Sequence, residues 1–160
     1  MEAAVFYILA AVTVMATLFA ITEKHAVHAI IYLVTSFFSL SVIFYILGAP
    51  LVAVFEVIIY AGAIMVLFLF VIMMLDLGHP ERARRPGGRE WLPAMVLSAV
   101  TAGASLALVA AHPPAMPGGG SVSIREFALT LFRRYGVTIE IISMQLLFAL
   151  VGALYLGRRR

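Results

Sequence analysis

Two carboxylates lie inside apolar segments of this 160-residue sequence, and they are its first candidates for chemistry. A charge in the hydrocarbon core of a membrane is costly, so a Glu at such a position is a functional candidate by default. Glu56 lies roughly 7 to 8 Å past Leu51, the start of its apolar segment, at about 1.5 Å per residue. Two interpretations of Glu56 stay open. It handles or couples protons, or it is a neutral structural carboxyl that hydrogen-bonds to a neighbouring helix or to Tyr60 on the same helical face.

Glu140 is the second candidate for proton handling, in a different apolar segment. It lies only about one helical turn into that segment. A carboxylate there can reach water and also favours the positive amino end of its helix. A structural role is therefore the simpler interpretation of Glu140, and proton handling is the alternative.

Small residues follow Glu56 in the middle of its segment, in the run Tyr60-Ala61-Gly62. Gly is about 1 kcal/mol less favourable than Ala in a helix in water, so Gly62 needs a local reason. Close packing against another membrane helix is one such reason. A deformable point or π-bulge is the other, because π-bulges occur often at functional sites.

The elements that position these residues are predicted to be membrane-spanning helices. The sequence is 64% apolar, against roughly 45–50% in an ordinary soluble domain, which excludes a soluble globular protein. A helix needs about 20 apolar residues to cross a bilayer, and no segment alternates as a membrane β-strand does. We therefore predict an all-α integral membrane protein, one membrane domain over residues 1–160 with five transmembrane helices. The predicted spans are 3–22, 27–47, 51–75, 92–111 and 137–156.

The positive charges predict an orientation with the amino terminus outside and the carboxy terminus inside. With this orientation the inner side carries eight Lys and Arg residues and the outer side three, as the positive-inside rule requires. The charges thus set topology, and we expect no nucleic-acid partner. The inner set is Lys24, Arg82, Arg84, Arg85, Arg89, Arg158, Arg159 and Arg160, and the outer set is Arg125, Arg133 and Arg134.

The connections between the spans differ in character. The first two are very short and predict a tight antiparallel meander of the first three helices. The third, residues 76–90, is rich in Arg, Gly and Pro. It is expected to be a solvated linker, or a docking segment for anionic lipid or a partner. Residues 123–135, in the fourth, have helical apolar spacing after a capping-box pattern of Ser123 and Glu126, which predicts a short amphipathic helix on the outer surface.

Several kinds of chemistry are excluded by the sequence. It has no cysteine, so this chain forms no disulfide and ligates no iron–sulfur cluster through sulfur. None of its histidines (His25, His28, His79 and His112) lies near mid-membrane, which argues against a haem. No catalytic triad, phosphate loop or metal-ligand cluster is recognisable. Both intramembrane carboxylates lie in the predicted outer half, so this chain alone makes no transmembrane proton path, and other subunits must complete it.

Three stretches of sequence resemble one known family. Residues 56–75, EVIIYAGAIMVLFLFVIMML, are similar to the third helix of the J-subunit family of bacterial NADH–quinone oxidoreductase, respiratory complex I, equivalent to subunit 6 in mitochondria. Support comes from HAVHAIIYLVTS near the second span and from LFRRYGVTIEIISMQLLFALVGA around the fifth. The resemblance covers nearly the whole chain and is weakest in the third and fourth loops and the fourth helix.

The resemblance implies a subunit of a redox-driven proton pump in the bacterial inner (plasma) membrane, embedded in lipid among other membrane subunits of complex I. It implies no flavin, iron–sulfur cluster or quinone site in this chain. FMN, iron–sulfur clusters and quinone are expected in partner subunits.

In that family Tyr60, Ala61 and Gly62 correspond to a π-bulge in the third helix. Its switch between bulged and regular helix is thought to gate a hydrated path that links quinone chemistry to the pumping subunits. The family's intramembrane carboxylates map onto Glu56 and Glu140.

The sequence departs from the family at two helix starts. Ala26 stands where many members have Pro, and Thr138-Ile139 replaces a Pro-containing approach to Glu140. Two other functions stay open at this point. One is a subunit of a related multi-subunit cation/proton antiporter or membrane-bound hydrogenase, and the other is a purely structural assembly subunit.

Overall fold

The computed structural model describes residues 2–75, 91–111 and 123–158, and within these ranges the chain is helical without strands. The linker predicted at residues 76–90 lies outside the described residues, as do His79, His112, Arg159 and Arg160. The chain divides into two compact units, Met1–Ser121 and Val122–Arg160.

The first unit contains four of the long apolar helices. Helix α1 is Glu2–Thr22, α2 is Ala26–Ile46 and α5 is Leu92–Ala111. Between α2 and α5, one continuous span consists of α3 (Pro50–Phe55), a π-helical segment (Glu56–Ile64) and α4 (Met65–Leu75). We call Glu56–Ile64 the π segment.

The turn from α2 to α3 is made by the residues expected for it. Gly48 has a φ of 81°, in the left-handed region that side chains with a Cβ rarely adopt. Pro50 occupies the first turn of α3, where its missing N–H removes no helical hydrogen bond. The turn therefore reverses the chain within three residues, as the short connection predicted.

The second unit consists of α6 (Ile124–Arg134) and α7 (Gly136–Gly157). Ser123 is the N-cap of α6, but its side chain makes no capping hydrogen bond, so the predicted capping box is wrong in that respect. Helix α6 occupies the segment predicted as an amphipathic helix, and its location on a membrane surface stays a prediction.

Among the residues that the structure describes, five helices are long and apolar enough to cross a membrane, which confirms the predicted all-helical class and the five spans. Each observed boundary lies within one residue of its predicted position. The orientation of the termini stays a prediction. The spans are Ala3–Thr22, Ala26–Ile46, Pro50–Leu75, Leu92–Ala110 and Gly136–Gly157.

Helix α2 is the central element of the first unit, because it packs against α1, the π segment and α5. Hydroxyl groups connect it to α1. The fully buried Ser39 donates from Oγ to the Leu9 carbonyl at 2.9 Å, and the hydroxyls of Thr17 and Ser36 lie 2.9 Å apart. Small residues of this kind let helix backbones approach closely in membranes.

Helix α5 lies along α2 and contacts it at two levels. At the start of α2, the His28 ring meets the edge of Trp91, with ring centroids 5.0 Å apart. Further along α2, the Thr35 and Ser98 hydroxyl oxygens are 3.3 Å apart. Because Thr35 already donates to the Ile31 carbonyl at 2.9 Å, Ser98 is the donor of this pair. These contacts fix α2 between its neighbours, so it can support the third span.

Candidate functional site in the third span

The third span changes its hydrogen-bond pattern over the nine residues of the π segment. Where the segment ends, the backbone N–H of Met65 donates to the carbonyls of Tyr60 and Gly62 and passes over Ala61, its partner in a regular α-helix. Tyr60, Ala61 and Gly62 thus lie inside a π-helix. π-Helices are rare, occur mostly as single turns and are frequent at functional sites. That this segment changes form in operation stays a prediction.

The backbone approaches Gly62 closely within the π segment. A Cβ added at this position would lie 3.1 Å from the Val57 carbonyl oxygen, closer than an ordinary van der Waals contact. Among the described residues, no atom of another helix lies within 4 Å of that added Cβ. Within the described residues, the close approach at Gly62 is therefore to the span's own backbone.

The spacing between buried residues along the span changes where the hydrogen-bond pattern changes. Glu56 and Ala61, five residues apart, are both buried, at 8% and 7% exposure, and Met65 follows at 8%. In a π-helix the i→i+5 hydrogen bond places residues five apart above one another. Glu56 therefore lies above Ala61 on the side turned toward the rest of the first unit.

The carboxyl of Glu56 has no hydrogen-bonding side chain within residues 2–75, 91–111 and 123–158. The hydrogen bond to Tyr60 that we considered possible is not formed. Instead the Tyr60 ring lies against Phe37 of α2, with centroids 5.4 Å apart, and 47% of Tyr60 is exposed. A buried polar group without a partner is costly. No buried side-chain oxygen among the described residues is left in that state, so the carboxyl oxygens of Glu56 reach the surface of this chain, where water or a neighbouring protein can bond to them.

Helix α2 holds the beginning of the π segment through a residue that the sequence did not single out. Ser41, buried in α2, donates from Oγ to the Ala53 carbonyl at 2.8 Å, three residues before Glu56. The signal in the sequence is the run of hydroxyl residues in an otherwise apolar helix. These residues are Thr35, Ser36, Ser39 and Ser41.

A cavity of about 410 Å³ lies beside the start of the π segment. It is lined by α2, α3, the π segment and α5, almost entirely with apolar side chains. Val57 and Ile58 of the π segment border it together with Ser41. The first turn of the segment is therefore not packed tightly on every side.

Glu140, the other predicted carboxylate, lies in α7 of the second unit and is exposed. Ser143, which shares its helical face, donates its hydroxyl to the backbone carbonyl of Glu140 at 2.8 Å rather than to the carboxylate. Glu56, Tyr60, Ala61 and Gly62 are thus placed together on one span, and Glu140 belongs to a separate unit.

The arrangement offers proton transfer and a change of backbone form. The third span carries one carboxylic acid, Glu56, and a carboxyl group can accept and release a proton. Within the described residues, no group of three or more His, Cys, Asp or Glu side chains could hold a metal ion.

Comparison with known proteins points to one family. Residues 16–156 match the family described as NADH-ubiquinone/plastoquinone oxidoreductase chain 6. NADH-quinone oxidoreductase subunit J of Pseudomonas aeruginosa is 42% identical, over 96% of this chain and 95% of its own. The subunit J of Escherichia coli K12 is 38% identical over 96% of this chain and 85% of its own. That of Buchnera aphidicola subsp. Schizaphis graminum is 34% identical over 98% of both chains.

We predict that Gly62→Ala moves the third span from the π form toward a regular α-helix. The new Cβ lies 3.1 Å from the Val57 carbonyl oxygen in the π form, so the π form has to shift to accept it and the balance moves toward the regular form. Hydrogen–deuterium exchange of the protein extracted in mild detergent should therefore slow over residues 56–66.

The matched control is Gly103→Ala in α5, where an added Cβ has no atom within 4 Å. It should leave exchange over residues 56–66 unchanged. If Gly62→Ala behaves like this control, Gly62 does not govern the form of the segment.

Proposed function

This chain belongs to the family of NADH-ubiquinone/plastoquinone oxidoreductase chain 6, and from that membership we propose that it is a membrane-arm subunit of a proton-translocating NADH–quinone oxidoreductase. In this role its third span couples quinone reduction to proton translocation. With bacterial relatives and five apolar helices, it is a multi-pass protein of the bacterial inner membrane.

The observation that carries the proposal is the π segment that begins at a buried carboxyl. Glu56 is 8% exposed, has no hydrogen-bonding side chain among the described residues, and opens the segment that contains Tyr60, Ala61 and Gly62. An intramembrane carboxyl supplies proton exchange, and a π segment supplies a backbone with a second, regular form nearby. Because Glu56 is the first residue of the π segment, a change in the protonation of its carboxyl affects the form of the segment, and a change of form affects the carboxyl.

The proposed movement is a change between the π and α forms. In the α form the Met65 N–H donates to the Ala61 carbonyl, which it passes over in the π form. The π segment holds one residue more than a regular helix would hold between the same ends. When the segment becomes α-helical, this residue adds to the winding, and the two ends of the span rotate against each other by roughly 100°, the angle of one residue in an α-helix. Such a rotation changes which side chains of the third span face the neighbouring subunits. It opens or closes a hydrated path past Glu56.

The redox chemistry in this proposal belongs to other subunits. FMN and iron–sulfur clusters lie in partner subunits, which also bind the quinone, and this chain contributes no cysteine to any of them. Its partners are the other membrane subunits of the complex and the lipid bilayer. A carboxyl and a deformable helix suffice for coupling, because the reaction's free energy enters elsewhere.

We also propose an orientation. The amino terminus lies outside and the carboxy terminus inside, as the distribution of Lys and Arg favours. Helix α6, with exposed Ile124 and Phe132 beside its arginines, then lies on the outer membrane surface. Glu140, near the start of α7, is placed at the outer water boundary as a second proton-handling residue.

Purification of the native assembly distinguishes this function from that of an antiporter or hydrogenase subunit. Extracted in mild detergent through a tag on this chain, the assembly should contain FMN and iron–sulfur clusters and reduce quinone with NADH. An assembly without flavin or quinone reductase activity would instead favour an antiporter or hydrogenase role.

Gly62→Val should lower the number of protons pumped per NADH oxidised more than it lowers the amount of assembled complex. Valine stiffens the segment and cannot be placed in the π form without moving the Val57 carbonyl. Proton uptake into sealed membrane vesicles gives the yield, and native gels give the assembly. Normal yield with normal assembly would rule out the hinge.

Glu56→Gln should reduce the proton yield moderately, because the neutral isostere keeps hydrogen bonding but has no exchangeable charge. The same vesicle assay measures it. Glu140→Gln provides the comparison for a carboxylate at the edge of the membrane, and its effect should be smaller. Wild-type yield in Glu56→Gln would leave Glu56 with a structural role.

A further inference from the structure

We infer that Ser41 is a positioning residue for the coupling site, which holds the start of the π segment and therefore Glu56 against α2. The inference rests on the proposed function and adds a residue outside the third span. It begins from the hydrogen bond between the Ser41 hydroxyl and the Ala53 carbonyl, 2.8 Å long and buried at both residues.

The hydrogen bond between Ser41 and Ala53 matters because it lies just before the point where the α pattern of the span gives way to the π pattern. Just before the π segment, the N–H of Glu56 is shared between the carbonyls of Val52 and Ala53. Shared N–H groups are common at helix ends, and here the α pattern ends and the π pattern begins. Ser41 supplies the Ala53 carbonyl with a separate donor at this point, so the backbone that carries Glu56 is fixed from α2.

Helix α2 is suited to provide such a fixed point. Ser39, two residues before Ser41, is fully buried and donates to the Leu9 carbonyl of α1 at 2.9 Å. Two buried serines of one helix thus bond to backbone carbonyls on different neighbours. Ser39 ties α2 to α1, and Ser41 ties the third span to that pair.

Within the π segment itself, ring and hydrogen-bond contacts with α2 are few among the described residues. The other ring or hydrogen-bond contact from α2 to the segment is that of Phe37 with Tyr60, and Tyr60 is still 47% exposed. The cavity of about 410 Å³ borders Ser41 and Val57 on the remaining side. With the Ser41 hydroxyl removed, the first turn of the segment has room to move.

The test is Ser41→Ala in the assembled complex, with Ser39→Ala as the matched control. Loss of one buried hydrogen bond shifts a local equilibrium roughly fivefold. Ser41→Ala should therefore speed hydrogen–deuterium exchange over residues 53–64 by about this factor. It should also lower the proton yield per NADH oxidised, and both effects should exceed those of Ser39→Ala, whose bond joins α2 to α1 and not to the third span.

Two further variants separate positioning from general packing. Ser41→Thr keeps the hydroxyl, and its extra methyl can enter the adjoining cavity, so it should restore the proton yield. Ser41→Ala combined with Gly62→Val should lower the yield by less than the two separate effects together, because both act on one segment. Additive effects would contradict the inference.

The outcomes of this test differ from those for the proposed function. If Ser41→Ala pumps normally, or if Ser39→Ala lowers the yield equally, Ser41 does not position the site, even where Gly62→Val and Glu56→Gln reduce pumping. If those two variants also pump normally, the proposed function itself fails.

Discussion

A backbone in a bilayer has to satisfy its own hydrogen bonds, because no water is present to replace a missing partner. This constraint leaves few ways to build a movable element inside a membrane. A loop would expose polar groups to lipid, and a proline would remove a donor. The π segment Glu56–Ile64 keeps its carbonyls and N–H groups within the helix while it changes which ones pair. The close approach of its backbone at Gly62 belongs to the same change of pairing.

A segment that can change its pairing needs a support that does not change. Helix α2 has this role in the first unit, and hydroxyl side chains provide much of the attachment. In water such hydrogen bonds contribute little net stability, since the unfolded chain bonds to solvent instead. Between membrane helices they mainly fix register and distance, for which Thr17, Ser36 and Ser39 are well placed. The first unit thus joins two helices linked by hydrogen bonds, α1 and α2, to a span whose own hydrogen-bond pattern is irregular.

The spans could be predicted from the sequence, whereas the contacts of the site could not. Length and apolarity located all five helices because the bilayer sets both quantities. The expected bond between Glu56 and Tyr60 is absent because the Tyr60 ring packs against Phe37 of α2, a contact between helices that the spacing along one helix does not reveal. Ser41 was missed for a different reason. Its partner is a backbone carbonyl, and no side-chain motif marks where a carbonyl of another helix will lie.

The Met65 N–H that skips Ala61 also has a consequence for how this sequence can vary in length. The segment contains one residue more than a regular ladder between the same flanks would use. A single-residue deletion inside it can be absorbed by becoming ordinary helix, with Pro50–Phe55 and Met65–Leu75 keeping their faces. A deletion elsewhere in the span would turn one flank by roughly 100°. The third span is therefore most tolerant of a lost residue at the place where such a loss would remove its ability to change form.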